Sequence, residues 1–222
     1  MAGDDVAGED IAGLRREYAD HGLSEAELAD DPIAMFGRWF EEAGAAGVHE
    51  PNAMVVSTVS ADPHGGGQPS SRMVLLKGVS DDGFVFFTNQ GSRKGEELAA
   101  EPRCALLFPW HPLERQVRVE GTASHLPRSD VEAYFASRPR GSRLGAHASH
   151  QSRVVASRAQ LDEAYAEAEA AYPDDVPVPE EWGGYRVRPE VVEFWQGRPG
   201  RMHDRLVYRR ADEGWRIERL AP

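Results

Sequence analysis

Residues 72–94 read RMVLLKGVSDDGFVFFTNQGSRK, and this stretch contains both lysines of the chain, Lys77 and Lys94. The protein has 25 lysine and arginine residues in all, so the other 23 cations are arginines. Lysine binds phosphate as a compact, flexible point charge, whereas arginine offers a planar fork. A chain that otherwise uses arginine, yet places both lysines here, indicates an anion-binding function for this stretch.

The stretch predicts two β-strands followed by the start of a helix. Residues 73–76 and 84–88 are apolar and rich in strand formers, and an Asp-Asp-Gly turn separates them. Ser92 suits a helix N-cap, so the two cations that follow it fall in the first helical turn. Cations oppose the helix dipole there unless an anion is bound. Two interpretations therefore stay open, a phosphate site and a solvated basic turn.

Composition limits the classes of function. The chain has 222 residues, a formal net charge of -12 and a pI near 5.1. Because an acidic chain binds polyanions poorly, we expect no nucleic-acid or membrane partner. Cys104 is the only cysteine, which excludes an intrachain disulfide and fits a reducing compartment. We find no signal peptide and no apolar run of membrane-spanning length, so we expect a cytoplasmic protein.

The rest of the pattern predicts a mainly β chain with flanking helices, an α+β fold built on a small antiparallel barrel. Helices are expected after Asp31, Ser129 and Ser157. Residues 1–10 are small and acidic and are predicted to be disordered, which leaves 11–222 as one domain. Further strands are expected at 54–59, 104–110, 116–123, 185–188, 191–196, 206–210 and 215–220.

Two further regions carry candidate chemistry. Tyr134 and Arg138 are four residues apart on a predicted helix, so we expect them to share a face and converge on an anion, with Ser142 just beyond. Residues 195–205, WQGRPGRMHDR, are predicted either to form a surface ion-pair turn or to line a pocket for a charged planar ligand. No HExxH or GxSxG motif supports a metal site or a serine hydrolase.

Ten short blocks occur in order along nearly the whole chain. They are LRREY at 14, RMVLLK at 72, FFTNQGSRK at 86, LLFPWHPLERQV at 106, YFASRPRGS at 134, HQS at 150, WGGYRV at 182, EFWQG at 193, RMHDR at 201 and RLAP at 219. In these blocks the chain resembles the pyridoxine (pyridoxamine) 5'-phosphate oxidases, FMN enzymes of vitamin B6 metabolism. The resemblance implies an antiparallel, FMN-binding split β-barrel that works as a homodimer with FMN at the subunit interface.

The resemblance also implies roles for individual residues. Arg93 and Lys94 would serve the flavin phosphate, while Arg201 and His203 would lie against the substrate ring, orient it and ease proton loss as the catalytic pair. The implied FMN-binding residues are Arg72, Met73, Val74, Leu75, Leu76, Lys77, Phe87, Thr88, Arg93, Lys94, Gln116, Gln151, Ser152, Trp195 and Arg205. The implied substrate-binding residues are Arg15, Arg16, Glu17, Tyr18, Lys77, Tyr134, Arg138, Ser142, Arg201, Met202 and His203.

The implied reaction moves a hydride from C4' of pyridoxine or pyridoxamine 5'-phosphate to flavin N5, after which O2 reoxidises the flavin and H2O2 is released. The amine substrate also yields ammonia. Residues 15–18 would close over the substrate as a lid. Two positions depart from the family pattern: Phe87 stands where tyrosine is common, and His147 where tryptophan is frequent. A flavin or B6-phosphate carrier and a deazaflavin-dependent reductase are the competing hypotheses.

Overall fold

The structure is a computed structural model that describes residues 17–61 and 67–222. The predicted tail at 1–10, together with Arg15 and Arg16, lies outside the described residues, so the division into a tail and one domain stays a prediction. The helices are α1 (Pro32–Ala45), α2 (Arg93–Ala100), α3 (Arg128–Ser137), α4 (Arg140–Ala148) and α5 (Arg158–Ala171). The strands are β1 (Ala53–Val59), β2 (Pro69–Leu75), β3 (Gly78–Ser80), β4 (Gly83–Asn89), β5 (Arg103–Trp110), β6 (Arg115–His125), β7 (Trp182–Gln196), β8 (Asp204–Arg210) and β9 (Trp215–Arg219).

The strands form one antiparallel sheet in the order β2-β1-β5-β6-β7-β4-β3, and β8 and β9 continue outward from β7. Although β2 and β3 lie at the two ends of this order, only Leu76 and Lys77 separate them in the chain. A link that short spans roughly 10 Å, so the sheet must curl until its two edges approach each other. The predicted antiparallel split barrel is thereby confirmed as a curled half-barrel.

Helix α1 fills the inside of this curl. Asp31 caps it by accepting the backbone N–H of Ile33 at 2.7 Å. The ring of Phe36 meets Phe84 and Phe108 edge-on, with centroids 5.0 and 4.8 Å away. The fully buried face of α1 consists of Pro32, Met35, Phe36, Trp39 and Ala43.

Strand β7 is continuous where the sequence predicted two strands separated near Pro189. Glu120 pairs with Val191 and Gly121 with Pro189, so Glu190 is an extra residue that bulges out of the ladder. A bulge tolerates proline because proline has no N–H to donate to a neighbouring strand. The backbone of Arg188 lies very close to Gly121. A Cβ at position 121 would be 2.2 Å from the carbonyl oxygen of Arg188. The strands predicted at 185–188 and 191–196 are therefore parts of one continuous strand, β7.

Helix α4 was not predicted, because its two glycines and one serine give a weak helical signal. It packs with α3 and α5 in a second, smaller core beside the barrel. The buried members of that core are Val131, Phe135, Leu144, Ala168, Val176 and Trp182. Within the described part of the chain, no helix combines the length and the apolar character that crossing a bilayer requires.

Candidate functional site

A cavity of about 980 Å³ lies between strand β2, the end of β4 and helices α2 to α4, and is here called the central cavity. Much of the predicted site lines it, namely Arg72, Met73, Val74, Leu75, Lys77, Phe87, Thr88, Arg93, Lys94, Tyr134, Arg138, Ser142, Gln151 and Ser152. Lining residues that the sequence did not indicate include Ser70, Asn89, Pro139, Ser149 and Trp182. Leu76 is buried in the barrel core, so its side chain does not line the cavity.

Lys94 is a buried cation in the wall of the central cavity. Its Nζ donates to Thr88 Oγ1 at 2.8 Å, to Gln151 Oε1 at 2.8 Å and to Ser92 Oγ at 3.1 Å. Burial, together with the charge of Arg72, lowers the pKa of Lys94 to about 8. All these partners are neutral, and within the described residues no carboxylate pairs with this ammonium. The site therefore fits an anion that supplies the missing charge.

Helix α2 presents this cation as the sequence predicted. Ser92 is the N-cap, and its Oγ accepts the Gly95 N–H at 3.4 Å. Gly95 is required because a Cβ there would lie 2.1 Å from the carbonyl oxygen of Gln90. The turn before the helix is thus packed tightly against its first turn, which fixes where Arg93 and Lys94 leave the backbone.

Arg138 also lines the central cavity, although not by the geometry that the sequence predicted. Helix α3 ends at Ser137, and Arg138 is extended with φ -73° and ψ 147°, so it shares no helix face with Tyr134. Pro139 disfavours helical backbone in the residue before it. The guanidinium instead packs over Trp182, 4.8 Å from the ring centroid. The convergence with Tyr134 and Ser142 on one cavity holds, because all three line it.

The Arg138 side chain also has an unmet hydrogen-bonding capacity. Its Nη1 is buried and has no hydrogen-bond partner among the described residues. Burial lowers the pKa of this guanidinium. A buried donor without an acceptor is costly, so this atom favours an oxygen-bearing ligand in the cavity.

Three parallel aromatic rings, those of Phe87, Tyr134 and Trp182, form a stacked wall beside Arg138. Phe87 lies 4.0 Å from Tyr134 and 5.5 Å from Trp182 between ring centroids, with interplanar angles of 12° and 5°. Gly184 makes room for this wall, since a Cβ there would lie 2.7 Å from the Phe87 ring. The resemblance implies tyrosine at this position; Phe87 lacks that hydroxyl, and its ring packs in the stacked wall.

The remaining predicted residues gather elsewhere, in a group that we call the Trp195 cluster: Tyr18, Gln116, Trp195, Arg201, Met202, His203 and Arg205. Gln116, Trp195 and Arg205 are cross-strand neighbours on β6, β7 and β8. The Trp195 ring lies 4.7 Å from His203 and 6.0 Å from Tyr18. Arg201 and Met202 are exposed beside it, and Glu17 is exposed just before Tyr18.

The two groups of residues lie near opposite ends of β7. Thr88 of the central cavity pairs with Gly183, whereas Gln116 of the Trp195 cluster pairs with Trp195. Positions 183 and 195 are twelve residues apart, which is about 40 Å along the strand. Within one chain, the structure therefore does not bring the Trp195 cluster into the central cavity.

His203 is held as a neutral imidazole. Its Nδ1 accepts the backbone N–H of Arg198 at 3.1 Å, so the ring proton belongs on Nε2. Burial, with the charge of Arg201, lowers the pKa of His203. Arg201 itself has a left-handed backbone with φ 62°, which is unusual for a residue other than glycine. Among the described residues, no three His, Cys, Asp or Glu side chains are grouped as metal ligands.

Ion pairs occupy much of the Trp195 cluster's surroundings. Arg205 donates from Nε and Nη2 to the buried carboxylate of Glu193, at 2.8 and 3.0 Å, and from Nη1 to the Ala221 carbonyl oxygen at 3.0 Å. Arg198 pairs with Asp20 at 3.0 Å. Arg198 and Arg205 thus form the ion pairs of the first predicted interpretation. None of residues 195–205 lines the central cavity, so the interpretation as a ligand pocket stays a prediction.

Comparison with known proteins gives consistent matches over most of the chain. The family model described as "Pyridoxamine 5'-phosphate oxidase" matches residues 40–172, and "Pyridoxine 5'-phosphate oxidase C-terminal dimerisation region" matches 182–222. A protein of Nocardioides sp. named pyridoxine/pyridoxamine 5'-phosphate oxidase is 70% identical, covering 96% of this chain and 98% of its own. A Rubrobacter xylanophilus protein of the same name is 58% identical, covering 96% and 97%.

Solved structures give the same picture of the fold. PhzG from Burkholderia lata, crystallised with tetrahydrophenazine-1-carboxylic acid, matches with a TM-score of 0.84 and 31% identity, over 91% of this chain and 99% of its own. A Nostoc punctiforme protein described as pyridoxamine 5'-phosphate oxidase-related and FMN binding matches with a TM-score of 0.67 and 18% identity, over 88% of this chain and 100% of its own. The latter likeness concerns the fold alone.

Proposed function

The chain belongs to the pyridoxine/pyridoxamine 5'-phosphate oxidase family, and on that premise we propose how this oxidoreductase works. It oxidises pyridoxine 5'-phosphate or pyridoxamine 5'-phosphate to pyridoxal 5'-phosphate, in vitamin B6 salvage and pyridoxal phosphate synthesis. O2 is the final electron acceptor, H2O2 is released, and the amine substrate also yields ammonia. The observation that carries this proposal is a single cavity lined by two cations, Lys94 and Arg138, each without a carboxylate partner among the described residues.

FMN is the cofactor that best fits the part of the cavity around Lys94. Lys94, Arg72 and Arg93 would hold its phosphate, because all three line that part of the cavity and Lys94 has only neutral partners. Thr88, Gln151 and Ser152 would contact the same ligand. The cavity volume of about 980 Å³ is at the upper end of the range for small-molecule sites, which leaves room for a second ring. When bound, FMN supplies a hydride acceptor and reacts with O2.

Arg138 and the cavity residues around it would hold the phosphate of the B6 substrate. Arg138 Nη1 is a buried donor that needs an acceptor, and Tyr134 and Ser142 add hydroxyl groups from the same wall. Lys77 follows the edge strand β2 and is exposed at the cavity, so it adds a flexible charge. Two phosphate sites in one cavity would hold the two rings between them at a fixed separation, which is the main contribution of the protein to the rate.

A second copy of the chain completes the site in this proposal. The Trp195 cluster lies about 40 Å along β7 from the cavity of its own chain, so it would contribute to the cavity of a partner. The family model for residues 182–222, which contain most of the cluster, is described as a dimerisation region. Met73 is 66% exposed on an edge strand that lines the cavity, as expected of an interface residue. FMN would then lie at the interface of a homodimer.

Residues of the cluster would meet the ligands from the partner side. Gln116, Trp195 and Arg205 would contact FMN, and Arg201, Met202 and His203 the substrate. Arg201 would orient the substrate ring through its charge. His203 Nε2 carries the ring proton, because Nδ1 accepts the Arg198 N–H. It would donate a hydrogen bond to the C4' substituent and so ease the loss of that substituent's own proton. Residues 15–18 would close the site as a lid, which is supported by the contact of Tyr18 with Trp195 and His203.

The direct test is reconstitution of the purified protein with FMN, followed by oxygen consumption with pyridoxine 5'-phosphate. We expect a yellow protein that consumes O2 and forms one H2O2 per pyridoxal 5'-phosphate. Protein that binds FMN but never turns over would favour the carrier hypothesis. Protein that cannot retain FMN under any condition would overturn the proposal.

A further inference from the structure

One buried carboxylate behind the central cavity has no role in the function proposed so far. Glu97 lies in the middle of α2, and only 5% of its surface is exposed. Its Oε2 accepts hydrogen bonds from the Thr58 hydroxyl on β1 and from the Ser70 hydroxyl on β2, the latter at 2.7 Å. Glu97 does not line the cavity itself, whereas Ser70 does.

The same carboxylate contacts two cations of the cavity wall. Arg93 Nε donates to Glu97 Oε1 at 2.8 Å, and Arg72 Nη2 donates to Oε2 at 3.2 Å. Each oxygen therefore holds one arginine, and both arginines line the cavity. Arg72 has further acceptors on the barrel wall, such as Thr58 Oγ1 at 2.6 Å. Arg93 has a side chain that is 56% exposed, and among the described residues its only hydrogen bond goes to Glu97.

The positive charges around Lys94 make the contact between Arg93 and Glu97 important. Arg72, Arg93 and Lys94 are three cations on one short segment of wall, and Arg72 already disfavours the charge on Lys94. Burial raises the pKa of Glu97, but hydrogen bonds from Thr58, Ser70 and Arg93 outweigh it and lower the pKa to about 2. Glu97 is thus an anion at every working pH, and it allows two guanidinium groups to stay close together.

We propose that Glu97 is a positioning residue, which holds Arg93 and Arg72 so that their remaining N–H groups face the phosphate of FMN. The inference rests on the proposed function, because it takes FMN to be the ligand that binds beside Arg72, Arg93 and Lys94. Without Glu97, Arg93 would be a long side chain in solvent, repelled by its two cationic neighbours. Glu97 therefore contributes to the preference for the phosphorylated flavin over riboflavin, without touching either.

The test compares FMN and riboflavin binding to the flavin-free full-length protein, by quenching of flavin fluorescence. We expect Glu97→Ala to weaken FMN by about 10-fold or more and riboflavin by less than about twofold, since only FMN carries the phosphate. Glu97→Gln keeps an acceptor for Arg93 and should lose less. Glu101→Gln is the matched control, because Glu101 also pairs with an arginine, Arg103, but does so on the surface at the end of α2.

Each outcome separates this inference from the proposed function. Equal losses of FMN and riboflavin in Glu97→Ala, or FMN binding equal to wild type, would overturn the inference while FMN binding by the wild type stands. Wild-type protein that binds no FMN would instead remove the proposed function. If Glu97→Ala does not fold, FMN affinity is compared among Glu97→Gln, Arg93→Ala and the double variant that carries both substitutions. A combined FMN loss smaller than the product of the two single losses supports coupling through Arg93, and full additivity contradicts it.

Discussion

The Lys94 ammonium lies 2.8 Å from the side-chain oxygen of Gln151, a residue 57 positions later in the chain. This contact joins the start of α2 to the loop that follows α4. The loop is constrained further by Ser152, whose backbone has φ 73°, and by Arg153, which pairs with Glu96 on α2. A ligand that binds Lys94 therefore also meets a loop whose position depends on the same cation.

Replacing Lys94 with methionine should weaken FMN selectively. The substitution keeps the length of the side chain but removes the charge that the flavin phosphate would neutralise. We expect the dissociation constant of FMN to rise about 100-fold, which corresponds to roughly 2.7 kcal/mol. Fluorescence titration measures this, with riboflavin as the control ligand. Riboflavin affinity should change little, and a comparable loss of both flavins would contradict the assignment of the phosphate to Lys94.

The stability of the flavin-free protein should depend on pH through Lys94. The pKa of Lys94 is lowered from 10.5 to about 8, so the protonated form destabilises the folded state. That destabilisation is complete below pH 8 and disappears as the pH rises from about 8 to 10.5. We expect the free energy of unfolding of the wild type to gain about 1–3 kcal/mol relative to Lys94→Met over this range. Urea denaturation of both proteins at pH 7 and pH 10 measures the difference, and parallel behaviour would count against it.

Arg138 substitutions should affect the substrate and spare the cofactor. Arg138→Met keeps an apolar side chain against Trp182 but removes the buried donor. We expect KM for pyridoxine 5'-phosphate to rise about 30-fold or more, because a charge-assisted hydrogen bond to phosphate is lost. The FMN dissociation constant should change less than about threefold. Lys77→Ala should also raise KM more than it weakens FMN. Equal effects on both ligands would show that the two phosphate sites are wrongly divided.

His203 should set the acidic side of the pH profile. Its pKa is lowered, so the imidazole stays neutral near pH 7 and becomes protonated only as the pH falls below its ordinary value of 6.5. We expect kcat/KM to fall in that acidic range, because protonation of Nδ1 would end its hydrogen bond from the Arg198 N–H and place a second cation beside Arg201. His203→Asn should reduce kcat about 100-fold and abolish this dependence. His49→Asn is the control, because the His49 side chain is 95% exposed. An unchanged acidic limb in His203→Asn would exclude this role.

Mixed dimers test whether each site uses two copies of the chain. Co-expression of Lys94→Met and His203→Asn chains, each nearly inactive alone when FMN is limiting, gives hybrids with one doubly altered site and one unaltered site. Random pairing makes half of the dimers hybrids, so total activity should recover to about a quarter of wild type. Separate affinity tags allow the hybrid to be purified and assayed, and its activity should be about half of wild type. A hybrid without activity would mean that each chain builds its site alone.

Much of the fold could be predicted because local signals agree with it. The strand formers at 84–88 and the Ser92 cap gave β4 and α2 directly. Helix α4 was missed because Gly141 and Gly145 weaken its propensity, and it is stabilised by burial of Leu144 instead. Strand β7 appeared divided because Pro189 usually ends a strand, whereas here a bulge absorbs it.

The sequence predicted many of the residues that line the central cavity, but not how their side chains are arranged in space. Pro139 predicts that the helix ends near Arg138, but the four-residue spacing still suggested a face shared with Tyr134. The helix ends one residue earlier, at Ser137, and the extended backbone of Arg138 removes that shared face. Glu97 gave no signal, since a glutamate four residues from Arg93 resembles an ordinary surface pair. Its burial depends on Thr58 and Ser70, which come from strands about 30 to 40 residues earlier. Such a contact exists only once the barrel has formed.

The length of β7 has a consequence for when the protein becomes active. In a protein whose central cavity needs the Trp195 cluster of a second copy, a newly synthesised chain has no catalytic activity until it dimerises. Production of H2O2 then starts only after dimerisation. Strong dilution would stop it by separating the two chains, while each chain stays folded. A single unbroken strand would in this way make catalysis depend on protein concentration.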